Sequence, residues 1–150
     1  MKRTVLAVLA VFIVWTVLDF VIHGMIFASA YSATPQLSRP TEEMDVGLMN
    51  LVVFTAAASF VLIYAWLITE KSVRTGVKYG ILFGIGSGVS MGFGSFSAMP
   101  LPYTVAFWWF IGRLIEAVVA GWLTGLIVKQ QRKNNWVPFG MRERGDYIKY

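Results

Sequence analysis

The chain has 150 residues, 57% hydrophobic and 14% charged, with a mean hydropathy of +0.63, where an ordinary soluble domain is about a quarter charged and could not hide this much apolar surface. It contains no cysteine and a single histidine, which excludes disulfides, thiolate metal sites, cysteine nucleophiles and a His-rich centre or bis-histidine haem built from one chain. The net charge of +5 sits in short segments that flank apolar runs, the arrangement of membrane loops and not of a nucleic-acid-binding face.

The first apolar run follows Lys2 and Arg3 and covers about 4–31, long enough to cross roughly 30 Å of hydrocarbon as a helix. Lys2-Arg3, the apolar stretch and Ala28-Ser29-Ala30 also have the outline of a secretory signal with a small-residue cleavage site. Asp19 and His23 interrupt the run just before that site, so the segment reads as a retained helix. Pro35, Arg39 and Pro40 make the 31–45 stretch an irregular loop.

A second span, about 46–69, carries no charge. After Lys71, Arg74 and Lys78 a third span runs to about residue 98, beginning near Gly76. Gly76, Gly80, Gly84, Gly88 and Gly92 recur at every fourth position along it, with Gly86 and Gly94 in addition. Residues four apart share a helical face, so the spacing predicts a side-chain-free groove in the manner of a glycine zipper. Pro100 and Pro102 end this span in a tight turn, and the fourth follows at about 103–128, with its own small-residue face of Ala117, Gly121 and Gly125. Close helix packing is the plain reading of both faces; a permeation path or sliding surface is the functional alternative.

All lysines and arginines except Arg39 and Arg113 fall in the N-terminus, the 70–78 loop or the tail beyond Lys129. The opposite loop carries Arg39, Glu42, Glu43 and Asp45. The positive-inside rule then predicts both chain ends on the cytoplasmic side. The fold expected is an all-α, integral membrane four-helix bundle over residues 1–129, with a glycine-striped third helix. A basic, partly aromatic tail over 130–150, including Trp136, would lie on the lipid surface or dock on a partner.

Four ionisable residues lie inside spans: Asp19 and His23 in the first, Arg113 and Glu116 in the fourth. A charge at mid-bilayer costs at least about 2.5–3.5 kcal/mol, so each should face the interior and find a partner. Their depths match. At the helical rise Asp19 lies roughly 18 Å below the end of its span, and Arg113 roughly 15 Å below the same surface. The spacings i,i+4 and i,i+3 put each pair on one face, and an Asp19–Arg113 ion pair is the natural expectation. Three roles suit the cluster. It can be a neutralised network fixing helix register. It can be a ligand or metal site with Asp19, His23 and Glu116 as donors for zinc, iron or manganese, a role the fixed charge of Arg113 weakens. It can be a proton or ion route. A haem or chlorin on His23 would need a second ligand from elsewhere. No cofactor is expected. The serines and threonines have no adjacent base and no phosphate-cradling loop occurs, so an enzyme is not the expectation.

Leu18-Asp19-Phe20-Val21-Ile22-His23-Gly24, with Tyr31, Thr34 and Arg39-Pro40-Thr41-Glu42-Glu43-Met44, resembles a set of small, uncharacterised bacterial four-helix membrane proteins. Ser90-Met91-Gly92-Phe93-Gly94 and Glu116-Ala117-Val118-Val119-Ala120-Gly121 extend the likeness over most of the chain. An aromatic often precedes the Arg-Pro in that set, where this chain has Ser38. The resemblance implies a multi-pass protein of the bacterial inner membrane and brings no activity with it. Small size, absent catalytic motifs, small-residue faces and a basic tail lead first to a non-catalytic accessory or assembly subunit of a larger membrane complex. Its partners would be lipid and other membrane subunits or copies of itself, not nucleic acid. A small oligomeric transporter, or an ion-, proton- or metal-handling protein using the buried cluster, is the alternative.

Overall fold

The computed structural model describes residues 1–27 and 39–129. Four helices in it are long and apolar enough to cross a membrane: α1 (Lys2–Ile26), α2 (Val46–Leu67), α3 (Val73–Ala98) and α4 (Tyr103–Ile127). No strand occurs among the described residues. This is the pattern of a multi-pass, all-helical membrane protein. The expected end of the first span at Tyr31, the loop up to Ser38, the Ala28-Ser29-Ala30 segment and the tail from Gln130 with Trp136 lie outside the described residues.

Local chemistry sets the helix starts. Asp45 accepts a hydrogen bond at 2.9 Å from the backbone N–H of Leu48 and caps α2. Ser72 does the same for Thr75 at 3.0 Å, which starts α3 at Val73, three residues before the expected start at Gly76. Pro102 stands just before α4, where its missing N–H leaves no gap in the helical ladder.

The helices associate as two pairs. α3 and α4 make the most extensive contact in the molecule. Gly76, Gly80, Gly84, Gly88 and Gly92 are all buried. A Cβ at Gly76 would run into the carbonyl oxygen of Gly121, at Gly80 into that of Ala117, and at Gly92 into that of Ala106. At Gly88 it would stand 3.0 Å from the Phe110 carbonyl, and at Gly125 2.8 Å from that of Ser72. Backbone therefore lies on backbone, which gathers dispersion contacts that lipid chains supply less well. Gly86 and Gly94 have nothing within 4 Å of such a Cβ.

α1 lies on α2, with the Phe12 and Phe54 rings 5.6 Å apart. An aromatic layer bridges α2 to α3: Phe60 lies 4.5 Å from Tyr79 and 4.9 Å from Phe83, centroid to centroid. The Tyr79 hydroxyl donates to the Phe60 carbonyl at 3.0 Å. The Tyr64 hydroxyl donates to the Ser72 carbonyl at 2.9 Å and accepts from the Ser72 N–H at 3.1 Å, pinning the turn between α2 and α3.

These contacts fill one half of the molecule. Ala7, Val11, Trp15, Ala57, Phe60, Val61, Tyr64, Ala117 and Ala120 are wholly buried together at the end that holds the α2–α3 turn. Towards the α3–α4 turn the winding of two helices changes. α1 becomes a π-helix over Phe20–Ile26, and α3 over Ser90–Gly94.

Candidate functional site

The space between the two pairs is a cavity of about 300 Å³, to which every helix contributes. α1 supplies Trp15, Asp19 and His23, and α4 supplies Trp109, Arg113 and Glu116. α2 adds Val52, Val53 and Ala56, and α3 adds Ser87 and Met91. The four ionisable residues of the spans thus share one cavity, large enough for about ten waters at their liquid volume.

The lining follows from helical spacing. Trp15, Asp19 and His23 are successive fourth residues, so they form one ridge on α1. The π-helical turn begins directly after Asp19 and contains His23; such insertions recur at functional sites because they re-aim side chains that a regular helix would hold. Trp109, Arg113 and Glu116 form the facing ridge on α4 by the same spacing.

Trp15 ties the ridges together. Its Nε1–H donates to the backbone carbonyl of Glu116 at 2.9 Å, and the Arg113 guanidinium carbon lies 4.3 Å from the centre of its ring. Gly112 lets α1 approach on the same side: a Cβ there would stand 3.3 Å from Ile22. Sequence reasoning passed over both residues. The signal for Trp15 was its place four residues before Asp19; Gly112 carried none beyond its adjacency to Arg113.

Arg113 donates from Nη1 to Oε2 of Glu116 at 3.1 Å, one turn away on its own helix. The expected Asp19–Arg113 ion pair is not formed. The nearest basic side chain to Asp19 is instead His23, at 3.9 Å from Oδ1 to Nε2, which forms an ion pair with it when the imidazole is protonated. The reason is local: an arginine with a carboxylate three residues along its own helix can reach it without spanning a crossing. Side-chain exposure is 36% at Asp19 and 29% at His23, then 17% at Arg113 and 3% at Glu116, so Glu116 is the floor of the cavity.

One atom on that floor is left over. Oε1 of Glu116 is buried and has no hydrogen-bond partner. Asp19 is its acidic neighbour across the α1–α4 crossing, and one donor atom from each of Asp19, His23 and Glu116 falls within 4.8 Å of the other two. A buried carboxylate oxygen without a partner costs about 1–3 kcal/mol. A hydrogen-bond donor or a cation between the ridges would satisfy that oxygen. Ser87 in the lining donates its hydroxyl to the Phe83 carbonyl at 2.7 Å, one turn back on its own helix.

No protein-family model, curated protein or solved structure matches the chain. The cavity has to be read from its own chemistry.

Proposed function

We propose that this chain is a cation-handling protein of the bacterial inner membrane: a four-helix bundle with both ends cytoplasmic and its binding site in the outer half. The observation that carries the reading is the buried, unpartnered Oε1 of Glu116 on the floor of a cavity shared with Asp19, His23 and Arg113. A network that served only to lock helix register would pair its buried oxygens internally.

The cavity's lining residues lie in the half of the spans nearer the loop bearing Glu42, Glu43 and Asp45, and the positive-inside rule assigns that half to the periplasmic side. Its other end is stopped by Trp15, Phe60, Val61 and Tyr64, all fully buried. The chain is therefore not an open channel. A cation would enter from one side, and passage would need a change in how the two helix pairs meet.

An accessory role in a larger complex is the competing reading. The small-residue faces that motivate it are occupied within the chain, since the buried glycines of α3 lie against α4. Reconstitution into vesicles separates the two. With cation gradients imposed, wild-type protein should carry a flux that Asp19→Asn abolishes while folding and assembly stay normal. Impaired assembly of that variant would favour the subunit reading. A variant unchanged in both respects would remove the cluster from either role.

A further inference from the structure

Asp19, His23 and Glu116 offer a donor set that goes beyond a generic cation site. We propose that they form an exchangeable site for a divalent transition-metal ion of the zinc, iron, manganese or cobalt type. The inference rests on the cavity being the working part of the protein and names the class of ion it takes.

Geometry comes first. The three donor atoms lie within 4.8 Å of one another. Metal–nitrogen and metal–oxygen bonds of about 2.0–2.2 Å put neighbouring donors roughly 3–4 Å apart, so a small rotation of the side chains closes the set. Glu116 brings an oxygen with no other partner, and its residue exposure of 2% keeps it out of bulk solvent.

Donor chemistry narrows the ion. One imidazole nitrogen with two carboxylate oxygens is an intermediate set. It is too nitrogen-rich for magnesium or calcium, which prefer all-oxygen shells, and it lacks the thiolate or thioether that selects copper(I).

Arg113 is the apparent objection, because a guanidinium repels a cation. It is engaged with Oε2 of Glu116 at 3.1 Å and lies over the Trp15 ring at 4.3 Å, and it does not take up Oε1. A ligating carboxylate held through its second oxygen by a hydrogen-bond donor is the usual supporting arrangement in metal sites. Arg113 is thus a positioning residue for Glu116.

Three protein donors leave coordination positions for water, and the cavity of about 300 Å³ has room for it. Structural metal sites are closed by four protein ligands. An open one permits exchange, as a protein that takes up and releases its ion requires.

The single histidine makes the test clean. The whole chain, purified in mild detergent with a tag free of histidine and stripped with chelator, is titrated with Co²⁺ and, separately, with Zn²⁺. The expected result is one ion per chain. X-ray absorption of the Zn²⁺-loaded wild-type protein should show imidazole scattering, which His23 alone can supply, so the assignment does not depend on any variant folding. His23→Gln and Asp19→Asn should each weaken binding by more than the ~10–100-fold lost when only a supporting partner of a ligand is removed. Absence of stoichiometric binding, a bound ion without imidazole scattering, or binding unaltered in both variants would each overturn the site. The broader reading fails separately. Vesicles that pass monovalent cations in an Asp19-dependent way, from protein that binds no Co²⁺ or Zn²⁺, would leave cation handling standing and remove the metal. Tight Zn²⁺ binding without flux of any cation would do the reverse.

Discussion

Glu116 and Arg113 sit one turn apart on α4, joined at 3.1 Å and largely buried. Removing one partner strands the other's charge, which in buried pairs costs about 3–5 kcal/mol, whereas replacing both with apolar groups is often close to neutral. Arg113→Met should therefore lower the unfolding free energy by about that amount in a denaturant titration of the detergent-solubilised protein. Adding Glu116→Leu to that variant should restore most of it. Losses that simply add would show the two charges to be energetically independent. Trp15→Phe isolates the neighbouring tie. It deletes the Nε1–H bond to the Glu116 carbonyl and keeps most of the ring, so a drop of about 0.5–1.5 kcal/mol is expected in the same titration. At this scale the sequence was informative about level and silent about azimuth. Counting residues from the ends of the spans puts Asp19 and Arg113 at one depth, and both line the cavity. The count contains no rotation of one helix against another, so it could not show that Arg113 turns to its own helix and leaves Asp19 to His23.

At the scale of the helices, α3 carries its own control. Gly80 and Gly86 lie on one helix, and each becomes more helix-favouring by up to about 1 kcal/mol when changed to alanine. Their surroundings differ. A methyl at Gly80 would drive into the Ala117 carbonyl, an atom of backbone that cannot swing aside, whereas Gly86 has nothing within 4 Å. Gly80→Ala should destabilise by about 1–3 kcal/mol through forced separation of α3 from α4, and Gly86→Ala should be neutral or slightly stabilising. Equal effects at the two positions would show that the α3–α4 contact is not as close as described. The lengths and order of the spans were legible because hydrocarbon thickness imposes a run length that charge and proline interrupt visibly. The π-helical turns at Phe20–Ile26 and Ser90–Gly94 were not, since no residue type specifies them; each contains a residue that lines the cavity, His23 and Met91.

The molecule as a whole is asymmetric along its helices: an aromatic and aliphatic block at one end, and at the other a largely apolar cavity that holds the four ionisable side chains. That asymmetry can be tested without any assumption about the ion, because the chain has no cysteine and single substitutions report without background. Met91 lines the cavity and is 44% exposed, while Val61 is fully buried in the block. With the proposed orientation, Met91→Cys should react with a membrane-impermeant maleimide added to spheroplasts. Lys78→Cys, at the basic end, should react only in inside-out vesicles. Val61→Cys should be protected in both, because close packing of Phe60, Tyr64 and Trp15 admits no water. Each reversal has its own meaning. Met91→Cys labelled only in inside-out vesicles would invert the topology and move the mouth of the cavity to the cytoplasm. Val61→Cys labelled from either side would mean that water passes between the helix pairs, turning a blind cavity into a continuous path. A conduction mechanism would then replace one that needs the two pairs to repack.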